Sequence, residues 1–308
     1  MSEKHLYIDL SNICYRNVHK LAPDIKSMGF GIFMHSIVTS VIYNIEKFEP
    51  DKVFICCDAP RNWRKKFYEP YKAHRAKAKS KFDIDWKQFE ETIEEVKMGF
   101  KGNFPFYVIQ QDWLEADDVI SYLVRKNINA EKIIVSSDSD FVQLMKYPNT
   151  KIYCPLKKEL IKCDNPQLHL EIKIIKGDKA SDNIPSICPG IGPKKAEDLF
   201  ASGDMDNLLQ GKETSVKMKG DPVLMVENYN RNLKLIDLTK TPKALIDLLE
   251  KEMETIKPAP SKGVYGFIVK HKMRDLFYKM AHIDKVMKKL NPHSSADLSL
   301  LSLQSPNP

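Results

Sequence analysis

The chain has 308 residues and a net charge of +7, with 43% hydrophobic and 29% charged residues. These values are typical of a globular protein with a proper core, and they argue against a disordered or fibrous chain. No apolar stretch is long enough to span a bilayer and no signal peptide is evident, so we expect a cytoplasmic protein with no membrane partner.

The six cysteines show no paired C-x-x-C spacing, and the histidines are scattered as well. This pattern predicts free, buried thiols and argues against a disulfide framework or a zinc site. Cys56 and Cys57 are neighbours on a predicted strand, so their side chains should point to opposite faces of the sheet.

Apolar runs of strand type alternate with helical patterns through the first half of the chain. Strands are predicted at Lys4–Leu10, Lys52–Cys57, Pro105–Ile109 and Lys132–Ser137. Helices are predicted at Phe30–Phe48, Trp86–Phe100 and Ala116–Lys126. This alternation indicates an α/β fold, with a mostly parallel central sheet flanked by helices. In such a sheet the functional crevice lies beyond the carboxyl ends of the strands.

Two short strands, Lys151–Cys154 and Leu160–Cys163, are expected to form a hairpin at the edge of the sheet. Helical patterns follow, with a helix that ends after Leu199 and others at Leu245–Ile256 and Val264–Met287. We therefore predict an α/β domain over 1–166, a helical region over 167–293 and a disordered tail over 294–308.

Carboxylates follow most of the predicted strands, and they fall into five short stretches. The stretches are Tyr7–Asp9, Ile55–Asp58, Leu114–Asp118, Ser136–Asp140 and Gly177–Asp182. Any one of these acids could simply cap a turn or a helix. Together at one edge of a sheet they would repel each other unless cations held them. Because oxygen-only ligands favour magnesium or manganese, we expect a pair of such ions with a phosphodiester as substrate.

The spacing of the acids supports convergence on one site. Glu115 and Asp118 are three apart and share a face of a helix, whereas Asp117 points about 100° away. Asp138 and Asp140 are two apart, so on extended backbone they face the same side. Two ions ~4 Å apart would activate a water on one side of the phosphorus and stabilise the leaving oxygen on the other.

A dense run of cations lies between Arg61 and Lys81, where nine basic residues accompany the single acid Glu69. This segment carries +8, so the rest of the chain sums to −1 and the positive field is local. Four aromatic residues lie among the cations, namely Trp63, Phe67, Tyr68 and Tyr71. Aromatic rings between charges suit stacking of unpaired bases. A solvated helix face, or packing of short helices on each other, is the alternative explanation.

Together the motifs resemble those of the 5′-nuclease family, which includes flap endonucleases, the 5′→3′ exonuclease domain of bacterial DNA polymerase I and phage 5′-nucleases. The resemblance is carried by Leu6–Asp9, Cys57–Asp58, Leu114–Asp118, Ser137–Phe141, Lys146–Asn149, Lys176–Asp178, Gly190–Lys194 and Ile236–Asp237. It runs in order over roughly residues 5 to 285. It implies a PIN-like nuclease fold with a helical arch at about 61–85 and a helix–turn–helix DNA-binding hairpin in the C-terminal region.

The same resemblance implies two metal sites for Mg²⁺, with Mn²⁺ as a substitute. The first site corresponds to Asp9, Asp58, Glu115, Asp117 and Asp118, and the second to Asp138, Asp140, Asp178 and Asp182. The chain departs from the family at the last of these residues. The family commonly has an aspartate three positions after the first acid of its G-D motif, whereas Ser181 stands there and Asp182 follows. Both offsets face the same way on a helix.

Residues that hold nucleic acid are also implied by the resemblance. The segment Tyr71–Arg75 matches the family's Y-K-x-x-R phrase, so Lys72 and Arg75 would steady the scissile phosphate and join Asp118 in catalysis. Further contacts are implied for Arg16, Arg64, Lys65, Lys66, Tyr71, Gly190, Gly192, Lys194 and Lys195. Amides of the glycine turn at 190–195 could bind a phosphate of duplex DNA. In relatives the carbonyls of this turn can also hold K⁺.

The implied activity is that of a divalent-metal-dependent 5′-nuclease in DNA replication. It would act as a monomer on DNA and RNA–DNA hybrids with a free 5′ end, at flaps, nicks and forks. A single-strand-binding protein or a sliding clamp is an expected recruiter, and the host cytoplasm is the expected location if a phage encodes the chain. Two other hypotheses remain. A non-catalytic DNA-structure-binding protein that kept the fold should lack several acids, and a toxin-type ribonuclease should be a much shorter chain.

Overall fold

The computed structural model of the protein describes residues 2–79 and 82–290, except for the side chains of residues 76–78. The predicted tail over 294–308 lies outside the described residues. So do Lys81 and the Lys77 side chain of the basic segment. Within the described part, no helix is both long and apolar enough to cross a membrane.

The described residues contain one six-stranded sheet. Its strands are β1 (Lys4–Asp9), β2 (Lys52–Cys56), β3 (Tyr107–Ile109), β4 (Glu131–Val135), β5 (Thr150–Cys154) and β6 (Glu159–Leu160). They lie in the order β3-β2-β1-β4-β5-β6, in which β1 to β5 are parallel and β6 runs antiparallel to β5. The prediction of a mostly parallel sheet with an edge hairpin is confirmed. The strand order reverses between β1 and β4, which places a crevice at the carboxyl ends of these strands.

Helices flank both faces of the sheet in the described part of the chain. They are α1 (Leu10–Met28), α2 (Gly31–Phe48), α3 (Trp63–Phe67), α4 (His74–Lys79), α5 (Trp86–Asn103), α6 (Ala116–Lys126), α7 (Pro166–Lys176), α8 (Pro193–Ala201), α9 (Asp204–Leu209), α10 (Pro222–Ile236), α11 (Lys243–Thr255), α12 (Gly263–Lys270), α13 (Arg274–Phe277) and α14 (Met280–Lys289). Short 3₁₀ segments occupy Ser139–Lys146 and Leu238–Lys240. Helix α1 was not predicted, because polar residues and a proline interrupt its apolar pattern and Leu10 reads as the end of a strand.

Both faces of the sheet are buried, which explains the apolar character of its strands. Ile8 of β1 faces the layer that contains α1, α2 and α5, whereas Tyr7 faces the layer that contains α6 and α11. Cys56 and Cys57 fall into these opposite layers, as predicted. All six cysteines lie in the described residues and are free, in agreement with the prediction, although Cys163 is only half-buried.

The C-terminal helices pack back onto the sheet layers. Phe267 of α12 lies against Gly99 of α5, where an added Cβ would be 2.1 Å from the ring. Helices α7, α8 and α10 share a third core with Tyr71 from the basic segment. The secondary structure therefore changes from mixed to helical near residue 166, but residues on the two sides of this point pack against each other. The single helix predicted at Val264–Met287 is three helices, with Lys272 in the left-handed region (φ 53°) at the first break.

Candidate metal centre and nucleic-acid interface

Four carboxylates crowd the crevice, and we call them the crevice acids. They are Asp9 at the end of β1, Asp58 after β2, Asp117 in the first turn of α6 and Asp138 after β4. Burial and the charges of Asp58 and Asp138 raise the pKa of Asp9 to about 7. Burial, together with Asp138 and Asp9, raises the pKa of Asp117 well above its ordinary value. The Ser136 hydroxyl donates to Asp9 (3.0 Å) and joins the ends of β1 and β4.

Both oxygens of Asp9 accept hydrogen bonds, from the Asn12 amide and the Ser136 hydroxyl, but the other three crevice acids keep oxygens that no described residue uses. Asp58 accepts from the Ala116 amide (2.8 Å) and Asp138 from the Asp140 amide (2.9 Å), each through one oxygen. Within the described part, their second oxygens and both oxygens of Asp117 have no hydrogen-bond partner. Carboxylate oxygens that have no hydrogen-bond partner and repel each other are suited to bind a hard divalent cation. No three Asp, Glu, His or Cys side chains of the described residues converge as a ready-made ion site.

Asp118 is fully buried and already neutralised by the protein. The Arg64 guanidinium donates to both of its oxygens at 2.8 Å. The Trp63 indole (3.2 Å), the Thr241 hydroxyl (2.6 Å) and the Glu115 amide (3.0 Å) donate to the same carboxylate. These hydrogen bonds occupy its acceptor capacity. The structure thus differs from the expectation of a metal ligand and catalytic residue, because Asp118 anchors the turn before α6.

Glu115 is also buried and accepts from three donors. These are Lys72 Nζ (2.6 Å), Arg64 Nη1 (3.1 Å) and the Tyr71 hydroxyl (2.9 Å). Burial by itself raises the pKa of this carboxyl, but the charges of Lys72 and Arg64 outweigh burial and hold the pKa at about 2. Glu115 is therefore ionised and paired, and it holds the Lys72 ammonium at the rim of the crevice.

The region of the predicted arch contains the short helices α3 and α4. Two of its residues that were expected to contact nucleic acid, Arg64 and Tyr71, are only 1% and 3% exposed. Both side chains bind the buried acids in the structure, so their contact with nucleic acid stays a prediction. Arg64 also donates to the Leu235 carbonyl (2.9 Å) and so ties the basic segment to α10. Lys65 and Lys66 are exposed, as a contact with nucleic acid requires.

Lys173 of α7 is a site residue that sequence reasoning missed. Its Nζ lies 2.9 Å from Asp178 Oδ2 and also contacts Asp140. Burial raises the pKa of Asp178, but the Lys173 charge and its hydrogen bond prevail and lower it. The protein thus places its own cation between two acids that were expected to share a metal. The only sequence signal was a lysine within the largely apolar run Leu170–Ile175.

The G-D motif needs its glycine for steric reasons. Gly177 has φ 69°, and an added Cβ would lie 2.5 Å from backbone atoms of Ile184 and Pro185. This close approach allows Asp178 to pair with Ile184 in an isolated antiparallel bridge. The motif therefore fixes the position of Asp178 through the backbone.

Asp182 faces the basic segment. It accepts from Arg75 Nη2 (3.1 Å), and Lys72 Nζ lies 3.9 Å from the same oxygen. The Lys72 amide donates to the Asp182 carbonyl (2.9 Å), and Arg75 Nε donates to the Ser181 carbonyl (3.2 Å). Burial raises the pKa of Asp182 more than the cations lower it. The structure therefore joins Asp182 to the two expected phosphate-holding cations.

The remaining expected nucleic-acid contacts lie on α1 and at the start of α8. Arg16 is half-buried, and its Nη1 has no hydrogen-bond partner among the described residues. Gly190 has φ 74°, and Gly192 is the N-cap of α8 without a side-chain hydrogen bond. Lys194 is exposed and Lys195 half-buried in the first turn of that helix. Uncapped amides and adjacent lysines at a helix N-terminus are suited to an anion.

The sequence is similar to those of known nucleases. Residues 4–173 match the N-terminal resolvase-like domain of 5′-3′ exonucleases. The chain is 30% identical over 282 residues to the ribonuclease H of Enterobacteria phage T4, which covers 85% of this chain and 90% of that protein. It is 27% identical over 307 residues to a 5′-3′ exonuclease of Aquifex aeolicus, with 94% and 99% covered.

Solved structures show the same fold. The phage T5 5′-exonuclease with bound zinc has a TM-score of 0.63 at 18% identity and covers 82% of this chain and 98% of its own. A pseudo-enzyme–product complex of the phage T5 flap endonuclease with DNA and metal ions has a TM-score of 0.61 at 17% identity, with 92% and 99% covered. From the domain match and the identity to the T4 protein, the chain belongs to the 5′-3′ exonuclease family.

Proposed function

We propose that this protein is a divalent-metal-dependent 5′-nuclease that cleaves phosphodiesters at junctions between a duplex and a free 5′ strand. Its substrates would be flaps, nicked duplexes and RNA–DNA hybrids formed in replication. The observation that carries the proposal is the group of crevice acids beside the basic segment, three of which keep uncommitted oxygens. Carboxylates repel a polyanion, so this combination is suited to catalysis only with cations between them.

We assign the crevice acids as the residues that hold Mg²⁺, for which Mn²⁺ would substitute, and Asp140 and Asp178 as the acids of a second site. When bound, such ions supply water activation and charge stabilisation at a phosphodiester. Lys173 contributes a fixed positive charge that keeps Asp178 ionised. Glu115 and Asp118 serve the site indirectly, since they position the basic segment over it.

Lys72 and Arg75 are the residues that we assign to the scissile phosphate. Glu115 and Asp182 hold their charged ends beside the crevice before substrate binds. A phosphate oxygen can share these donors, because an ammonium has three hydrogens and a guanidinium has five. The ion pairs therefore order two long side chains in advance, which lowers the entropy lost when the phosphate binds.

We assign duplex binding to the helical region that begins at residue 167, through the amides of the turn at 190–195, whose carbonyls are candidates for K⁺. Exposure of Lys65 and Lys66, and the unpartnered nitrogen of Arg16, support contacts to the phosphates of the cleaved strand. Binding through many phosphate contacts should weaken steeply as the salt concentration rises.

The test compares cleavage of a 5′ flap, a nicked duplex and a 5′-labelled RNA–DNA hybrid, side by side in Mg²⁺. Asp138→Asn removes a crevice acid, and Asp24→Asn, an exposed acid on α1, is the matched control. We expect cleavage by the wild type and the control, and its loss in Asp138→Asn. Full activity of Asp138→Asn would contradict the metal assignment. Binding of the flap without cleavage by any of the proteins would indicate a non-catalytic DNA-structure-binding protein.

A further inference from the structure

Trp113 is an aromatic residue at the rim of the crevice with no role in the assignments above. It lies on the loop between β3 and α6, two positions before Glu115. The Ala59 amide, directly after a crevice acid, donates to the Leu114 carbonyl (3.0 Å). The Trp63 amide donates to the Trp113 carbonyl (3.0 Å). The loop is therefore tied both to the crevice and to the start of the basic segment.

The backbone of Trp113 is in an unfavourable conformation. Its φ is 70°, in the left-handed region where a bulky residue is an outlier. Glycine or asparagine would take this conformation at little cost. Strain of this kind persists where the surroundings impose it, and it is concentrated at functional sites. The chain thus keeps a large ring at a position whose backbone favours glycine.

Two cations lie against the Trp113 ring. The guanidinium carbon of Arg61 is 4.8 Å from the ring centroid and Lys66 Nζ is 5.2 Å from it. One part of the indole packs on the core, and the side chain as a whole is only half-buried. Trp63 differs, since it is 5% exposed and its indole donates to Asp118. Within the described part of the chain, no group accepts from the Trp113 indole.

We propose that Trp113, Arg61 and Lys66 form a stacking platform for an unpaired nucleobase of the strand to be cleaved. The base would lie on the indole face, and the two cations would move to the phosphates on either side of that nucleotide. Stacking tolerates any base, as suits an enzyme that recognises structure and not sequence. This proposal rests on the proposed function, and it identifies the unpaired nucleotide nearest the crevice as the group that the protein recognises.

The experiment measures binding by fluorescence anisotropy in EDTA, so that nothing is cleaved. One probe is a DNA flap with a normal single-stranded 5′ arm, and the other is the same flap with an abasic arm. Trp113→Gly removes the ring and relieves the backbone, whereas Trp113→Tyr keeps an aromatic face. Tyr265→Ala, which removes a 54% exposed ring on α12, is the control. Melting curves verify that each variant is folded, and Trp113→Asn replaces the glycine variant if that variant unfolds.

We expect Trp113→Gly to bind the normal arm about 5- to 150-fold more weakly than the wild type, the range for one stacked base. The two proteins should bind the abasic arm equally, and Trp113→Tyr should recover most of the affinity. Equal weakening for both arms, or no weakening, would overturn the platform. The cleavage assay separates the two proposals. Base-dependent binding without any cleavage would contradict the nuclease alone, and cleavage without base-dependent binding would contradict the platform alone.

Discussion

The acids at the carboxyl edge of the sheet form two groups that differ in how their charge is balanced. Glu115 and Asp118 are buried against Arg64 and Lys72, and the pKa of Glu115 is held at about 2. The crevice acids form no salt bridge among the described residues, and the pKa of Asp9 is raised to about 7. The carboxylates of one group are neutralised by cations of the chain itself, whereas those of the other group repel each other.

Acids of both groups occur within a single motif, Leu114–Asp118. Asp117 lies between Ala116 and Asp118 in the first turn of α6, and helical geometry directs successive side chains about 100° apart. Glu115 and Asp118 therefore enter the interior, while Asp117 faces the crevice. A carboxylate at the end of a strand is thus not by itself a sign of metal binding, because the same residue type also serves as a buried anchor.

The largest effect on stability is expected from removal of the internal cation. Arg64→Gln leaves Asp118 and Glu115 buried without that partner, which should lower the free energy of unfolding by about 3–5 kcal/mol. Arg61→Gln breaks an exposed ion pair with Asp112 and should leave stability nearly unchanged. Urea unfolding of both variants measures the difference. Small and equal losses would mean that the buried group does not depend on its internal cation.

Substitution of a crevice acid should lower the activity without lowering the stability. Asp9→Asn should lower the rate of flap cleavage on the order of 10²–10³-fold, equivalent to about 2.7–4 kcal/mol in the barrier. The same variant should melt no lower than the wild type in EDTA, because it removes a source of repulsion. Single-turnover cleavage and thermal melting provide the two readouts. An inactive variant that also melts much lower would place Asp9 with the buried anchors.

A third prediction concerns pH. The folded pKa of Asp9, about 7, lies above the unfolded value near 4, so the native state binds more protons in this interval. Its contribution to stability therefore falls as the pH rises from about 4 to 7. Melting temperatures in EDTA should decline across this window more steeply for the wild type than for Asp9→Asn. Identical slopes for the two proteins would contradict the raised pKa.

The smallest effect is expected from Lys173→Met, which turns Asp140 and Asp178 into an uncompensated pair like the crevice acids. The ion-free variant should be less stable than the wild type, and its affinity for Mn²⁺ should change by about tenfold. Lys176→Met, an exposed lysine on the same helix, is the control. Thermal melting titrated with Mn²⁺ measures the affinity. Coincident titration curves for the two variants would show that Lys173 has no part in balancing these acids.

Local periodicity was enough to predict the parallel strands, the edge hairpin and the acids at the crevice. The repeats of strands and helices can be recognised from residues that are close together in the sequence. The predicted helix at Ala116–Lys126 matches α6 at both ends. Helix α1 was missed because its apolar repeat is interrupted. The segment Val264–Met287 is broken twice, and the first break, at the left-handed residue Lys272, left no sequence signal.

Only the tertiary structure decides which carboxylates are paired with a cation of the chain. Arg64 and Asp118 are 54 positions apart, and Lys173 meets Asp140 from a different helix. Sequence alone placed Arg64 with the exposed cations, since a run of basic residues does not indicate which member turns inward. Coulomb energy depends on distance in space and on burial. Neither quantity is set by neighbours along the chain, so the division between anchors and crevice acids appears only when the strands and helices are packed.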